Sequence, residues 1–216
     1  MYVWKRCLVF ITLLIVTVGS VWAAENSRAM KEDKQHVHAW NKFVKDLFRI
    51  HVKRLSMHTI KETSKIGGYM HNPDFYKEVE YRDVKTGRLL SRVQWERENP
   101  DIIHVIEVYF YDKNGRVSRD YSASFLPGFR NAPNQTLINL HGYNKELHAF
   151  RSFDASGNMI YEGCEGTFKN KRVDISLDDT EKAMEESNPD SILKKPEYKA
   201  CFNGIAEQAG LFLHPR

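Results

Sequence analysis

His141 and His148 flank the stretch Gly142-Tyr143-Asn144-Lys145-Glu146-Leu147, a spacing that lets two imidazoles meet across a hairpin with a carboxylate between them. With Glu146 they form the best-placed metal-ligating or acid–base set in the chain, and His104 is a further member of such a dispersed polar site. Zinc would need another ligand beyond the hairpin pair. The remaining histidines are less suited to chemistry. His36 and His38 stand at a helix start, where their rings diverge. His51 and His58 share a helix face but lie two turns apart, roughly 10 Å, too far to hold one ion.

The common local signatures are absent. No G-x-S-x-G, H-E-x-x-H, P-loop, C-x-x-C or C-x-x-C-H occurs, so neither a nucleophile elbow nor a zincin, nucleotide or haem site has its motif, and no cofactor is indicated. Phe129 and Arg130, in the loop Leu126 to Gln135 between two apolar runs, pair an aromatic with a guanidinium, a composition enriched at interface hot spots. Asn134-Gln135-Thr136 spells a glycosylation acceptor in hosts that modify exported proteins.

The elements that would position these groups read clearly. From His36 to about Ile66, Val37, Trp40, Val44, Leu47, His51, Leu55 and His58 recur at spacings of three and four, the mark of one helix face, with Phe43 and Phe48 widening it. Lys42, Lys45, Arg49, Lys53 and Arg54 take the opposite face, and Gly67-Gly68 supplies a stop. After Asn72 the period changes to two. In Ile103 to Tyr111 the residues His104, Ile106, Val108 and Phe110 alternate against Ile103, Val105, Glu107, Tyr109 and Tyr111.

Three segments repeat one plan of strand, aspartate, short polar stretch, glycine and strand, around Asp83 and Gly87, Asp112 and Gly115, and Asp154 and Gly157. Only the glycine is constant at its position. That pattern predicts a type I turn closing on a left-handed glycine bulge, the aspartate capping the backbone, with a longer loop at Asp83. The stretch YFYDKNGRVSRDY, through Tyr111, Asp112, Gly115, Arg116 and Val117, resembles one unit of the YD repeats of large secreted shell-forming proteins, and is similar to the hairpin units of MORN-type repeat proteins; Phe153, Asp154 and Gly157 match it in part. The glycines keep no fixed period, and what the resemblance implies is hairpin geometry alone.

Further strands are expected in Gln135 to Tyr143 and Lys171 to Leu177, and a short helix in Pro196 to Phe212, weakened at Gly204. The expected fold is α+β: a long N-terminal amphipathic helix packed on an antiparallel meander of roughly six to eight strands, with a short C-terminal helix.

The ends set the address. Lys5 and Arg6, an apolar run from Leu8 to Val18 and a small-residue exit at Ala23 form the three parts of a secretory signal, expected to be cleaved after Ala23, with an uncleaved anchor as the alternative. Residues 24–35 read as a polar lead-in and 36–216 as a single domain, long enough to bury a core without metals. Export puts Cys164 and Cys201 in an oxidising compartment, where a disulfide is expected. Of the formal +4, Lys5 and Arg6 supply two charges, leaving too little to indicate nucleic acid. The basic helix 36–66 suits an anionic membrane surface or an acidic protein. Together these features point to an exported, non-catalytic binding or structural module of the cell envelope with another envelope or secreted protein as partner. The alternatives are a metal-dependent or acid–base enzyme on the histidine set, and a carrier of a small apolar ligand.

Overall fold

A computed structural model describes residues 35–127 and 132–215. The signal segment and lead-in up to residue 34 lie outside the described residues, as do Phe129 and Arg130. Helix α1, Gln35–Met57, is followed by nine strands: β1 Ile60–Tyr69, β2 Asn72–Asp83, β3 Leu89–Glu96, β4 Ile103–Tyr111, β5 Val117–Ser124, β6 Gln135–Asn144, β7 Leu147–Phe153, β8 Met159–Phe168 and β9 Lys171–Asp178. They form one antiparallel sheet in sequence order. Helix α2, Asp179–Ser187, opens on a capping box made by Asp178 and Glu181. Helix α3, Pro196–Phe202, starts with proline at its first turn. Residues Ala39–Arg216 form one compact unit.

Two expectations need correction. The first helix is shorter than its sequence pattern suggests, ending at Met57 rather than near Ile66. The strands number nine, not six to eight. Both errors come from β1. Its residues Ile60 to Gly67 pair one by one with Asp83 to Tyr76 of β2, and β-branched Thr59, Ile60 and Thr63 favour that extended backbone. As an edge strand, β1 keeps most of its side chains in water, so no period-two burial pattern marks it. Gly67 and Gly68 do not stop a helix. They serve the β1–β2 hairpin, where a Cβ on Gly68 would meet the Asn72 carbonyl oxygen at 2.0 Å.

The alternation of β4 recurs in β5 and β6. One face carries the buried row Val79, Val93, Ile106 and Ala123, partnered in turn from β2 to β5, and beside it the buried row Val108, Tyr121, Ile138 and Phe153, partnered from β4 to β7. Helix α1 covers part of it with Phe43, Leu47 and His51, spaced by four. The ring of Phe43 meets Tyr121, and His51 meets Tyr81. Buried His51 also shares a 2.8 Å hydrogen bond with Ser91 Oγ, which satisfies a polar atom inside the core.

The C-terminal segment covers the same face beyond β6. A disulfide joins Cys164 of β8 to Cys201 of α3, with Cα atoms 6.0 Å apart across a sequence separation of 37. Two residues before Cys164 on β8, fully buried Glu162 accepts from Arg151 Nε at 2.6 Å, Lys182 Nζ at 2.8 Å and Tyr198 Oη at 2.6 Å. Arg151 also donates to the Ile205 carbonyl at 2.6 Å. Charge, hydrogen bonds and a covalent link thus fasten this segment to the sheet.

The repeated turns close on left-handed glycines. Gly115 and Gly157 have φ of 82° and 92°. Each donates to its aspartate carbonyl at 3.0 Å, while Asp112 and Asp154 accept from backbone N–H groups of their own loops. The register shifts beside both, at Phe110/Tyr111 and Ser152/Phe153, as a bulge requires. Asp83 caps a longer loop by accepting from Lys85 and Thr86.

Candidate functional site on the uncovered sheet face

Every side-chain contact of α1 and the C-terminal segment with the sheet described above falls on one face. Opposite parity points Glu78, Glu80, Arg92, Glu107, Asp120, Asn139, His141 and His148 the other way. Among the described residues no helix lies over them, yet they are not loose. Side chains on neighbouring strands hold one another across the sheet.

The centre is built on β5, β6 and β7. Asp120 faces Asn139 directly, and Asn139 faces Ser152. Asn139 Nδ2 donates to Asp120 Oδ1 at 2.8 Å, and Ser152 Oγ donates to Asn139 Oδ1 at 2.6 Å. His141, two residues along β6, brings Nε2 within 2.6 Å of Asp120 Oδ2. Its Nδ1 lies 3.0 Å from His148 Nε2 on the adjoining strand. A carboxylate accepts only, so His141 carries its proton on Nε2 and His148 donates to His141 Nδ1, a tautomer assigned from the network.

The His141 and His148 rings are 13° from parallel with centroids 5.3 Å apart. Combined with the short N···N contact, this places the rings nearly coplanar and end to end. The facing nitrogens are spent on each other. Burial and the neighbouring His141 push the His148 imidazole below its usual value, against the pull of the Glu165 carboxylate. Tyr143 stacks on His148 at 4.8 Å, and Arg116 lies 4.3 Å over Tyr143 while pairing with Asp112 at 2.9 Å. The β4–β5 turn thereby braces the histidine pair.

A second polar group adjoins it on β2, β3 and β4. Arg92 bridges Glu80 at 3.0 Å and Glu107 at 3.1 Å, and Tyr109 Oη donates to Glu107. Hydrogen bonds from Arg82 and Arg92 hold Glu80 below the usual carboxylate range. Burial, followed by the Glu107 carboxylate, pushes the Tyr109 phenol far above its own, so it stays a donor. Gln94 and Lys65 complete the row on Glu78 at 2.8 and 3.0 Å.

Of the sequence-derived set, His141 and His148 meet, and the other two do not join them. His104 faces the helix-covered side, buried among Tyr69, Phe75 and Tyr76 with its Nε2 on the Tyr69 hydroxyl. Glu146 lies exposed in the β6–β7 turn, and the carboxylate that engages His141 is Asp120. No group of three His, Cys, Asp or Glu side chains is placed to hold a metal ion among the described residues. Asp120, Asn139 and Tyr143 were missed from sequence, although each has the strand parity opposite to a core residue. No described helix is long and apolar enough to cross a membrane.

Comparison with protein-family models, with curated proteins and with solved structures returned no match.

Proposed function

We propose that this protein is an exported, non-catalytic binding module of the cell envelope, and that the uncovered sheet face is its recognition surface for another protein. The observation that carries the reading is a polar face spanning strands β2 to β7 whose side chains are already fixed by cross-strand bonds. Preorganised donors and acceptors lose little entropy on association, and Arg92, Tyr109, Arg116 and Tyr143 are of the types enriched at hot spots. The signal-like N-terminus and the Cys164–Cys201 disulfide support export.

A second reading, acid–base chemistry, has the Asp120–His141–His148 chain in its favour. A proton taken up at His148 Nδ1 lets the Nε2 proton pass to His141, with Asp120 stabilising the charge. His141 and His148 spend their facing nitrogens on each other and His141 spends its Nε2 on Asp120, and binding is the better account.

Affinity capture from the envelope fraction of the native host tests it. The wild-type protein should retain a partner that His141→Ala and Tyr143→Ala lose at least tenfold with little change in Tm. Phe129→Ala with Arg130→Ala, run in parallel, measures the loop's share. Identical partners for wild type and both sheet-face variants would overturn the assignment.

A further inference from the structure

A groove of about 390 Å³ lies on the other side of the sheet, between the last turns of α1, the β2–β3 loop and the end of β4. Lys53, Arg54 and Arg88 line it together with Met57, Leu90 and Phe110. Its size is at the lower end of small-molecule sites, which run roughly 300–1,000 Å³.

The charges are unusual for this protein. Arg49, Arg82, Arg92, Arg97, Arg116, Arg151 and Arg172 each face a carboxylate within ion-pair distance. Arg54 and Arg88 do not, among the described residues. Arg54 donates to the Tyr109 carbonyl and lies 4.5 Å over the Phe110 ring, and Arg88 lies 5.2 Å over Tyr111. Tying α1 to β4 uses one of the five N–H donors of Arg54 and leaves the others for a ligand. Arg119 also lies on Phe110, at 4.3 Å, so two guanidiniums share one ring. Burial lowers the Arg54 pKa, and the nearby Arg119 adds to that against an opposing pull from Tyr111.

Among the described residues that line the groove, Asp83 is the one carboxylate, and it is already engaged. Asp83 accepts from the Thr86 hydroxyl at 2.5 Å and from two backbone N–H groups, and His58 Nδ1 stands 3.6 Å away. The excess charge is therefore positive. Beside it is apolar surface, with Leu90 buried and Met57 67 % exposed.

We propose that this groove binds an amphipathic organic anion, a medium-chain acyl carboxylate, with its head on Arg54, Arg88 and Lys53 and its chain against Leu90, Phe110 and Met57. Guanidiniums offer paired donors to a carboxylate, and the aromatic rings that hold them keep those donors oriented.

Calorimetric titration of the purified chain with decanoate below its micellar range tests the assignment. Decanoate should bind, whereas decanol and acetate, which lack the charge and the chain respectively, should bind at least tenfold more weakly. Arg88→Ala and Lys53→Ala, at positions outside the core, should each weaken decanoate several-fold with Tm unchanged; Arg54→Ala should do so more strongly. Equal affinity for decanol, unaltered binding in Arg88→Ala, or no heat with decanoate would each overturn the proposal. Phosphatidylglycerol vesicles separate the two sources of such an anion: binding to vesicles alone, with none to monomeric decanoate, would replace the groove with a lipid-surface site. The sheet-face variants His141→Ala and Tyr143→Ala should leave decanoate affinity unchanged, so this test and partner capture fail independently.

Discussion

Two kinds of histidine coexist in this chain. His51 is only 3 % exposed, and burial lowers its pKa from 6.5 to about 4. Because the native value lies below the unfolded one, the unfolded chain takes up the proton first on acidification. The contribution is intact above about pH 6.5, is lost as pH falls towards about 4, and falls no further below that. Its size is on the order of 3 kcal/mol over the interval. Urea denaturation at pH 7 and pH 4.5 should therefore show a smaller acid loss in His51→Gln than in wild type. His104 and His148, also depressed by burial, act in the same direction. The His141–His148 contact was legible from their places across a hairpin. Asp120 was not, because it reaches His141 from β5, across a connection whose register no local pattern specifies.

At the scale of elements, the turns were the most legible feature and the helix end the least. A glycine recurring after a polar stretch, with an aspartate at its head, has one inexpensive backbone solution, since only φ > 0 closes the bulge. Gly115→Ala and Gly157→Ala should each lose about 1–2 kcal/mol in urea denaturation. Asn at either position should lose less, because its side chain tolerates the left-handed region. A loss in Gly115→Ala no greater than that of an exposed loop substitution would contradict the turn assignment. The boundary at Met57 is of another kind. Helical spacing continues through Leu55 and His58, and nothing local forbids another turn. Pairing of Ile60 to Gly67 with β2 outweighs that weak preference, since helix propensity differs by only tenths of a kcal/mol per residue.

For the whole molecule, the decisive feature is asymmetry between the two sheet faces. One is sealed by α1 and by a C-terminal segment fastened at Cys164–Cys201 and Glu162. Closing that 37-residue separation is worth roughly 3–4 kcal/mol, so reduction should lower Tm by roughly 10 °C. Burial works to raise the Glu162 pKa, and hydrogen bonds from Lys182, Tyr198 and Arg151 outweigh it and hold the carboxylate ionised. That contribution is present above the normal range of a glutamate and disappears as pH falls through the lowered native value. Glu162→Gln leaves Arg151 buried beside a neutral amide and should cost about 3–5 kcal/mol in urea denaturation. Sequence by itself determined the alternating strands, the hairpin turns, the existence of a helix at the start of the domain and the pairing of Cys164 with Cys201. Each rests on short periods or on the arithmetic of two cysteines. Only the tertiary structure decided where α1 ends, which sheet face stays uncovered, and which carboxylate meets which cation or imidazole. Those outcomes depend on strand register and on packing between segments far apart in the chain, and neither is written in any local run of residues.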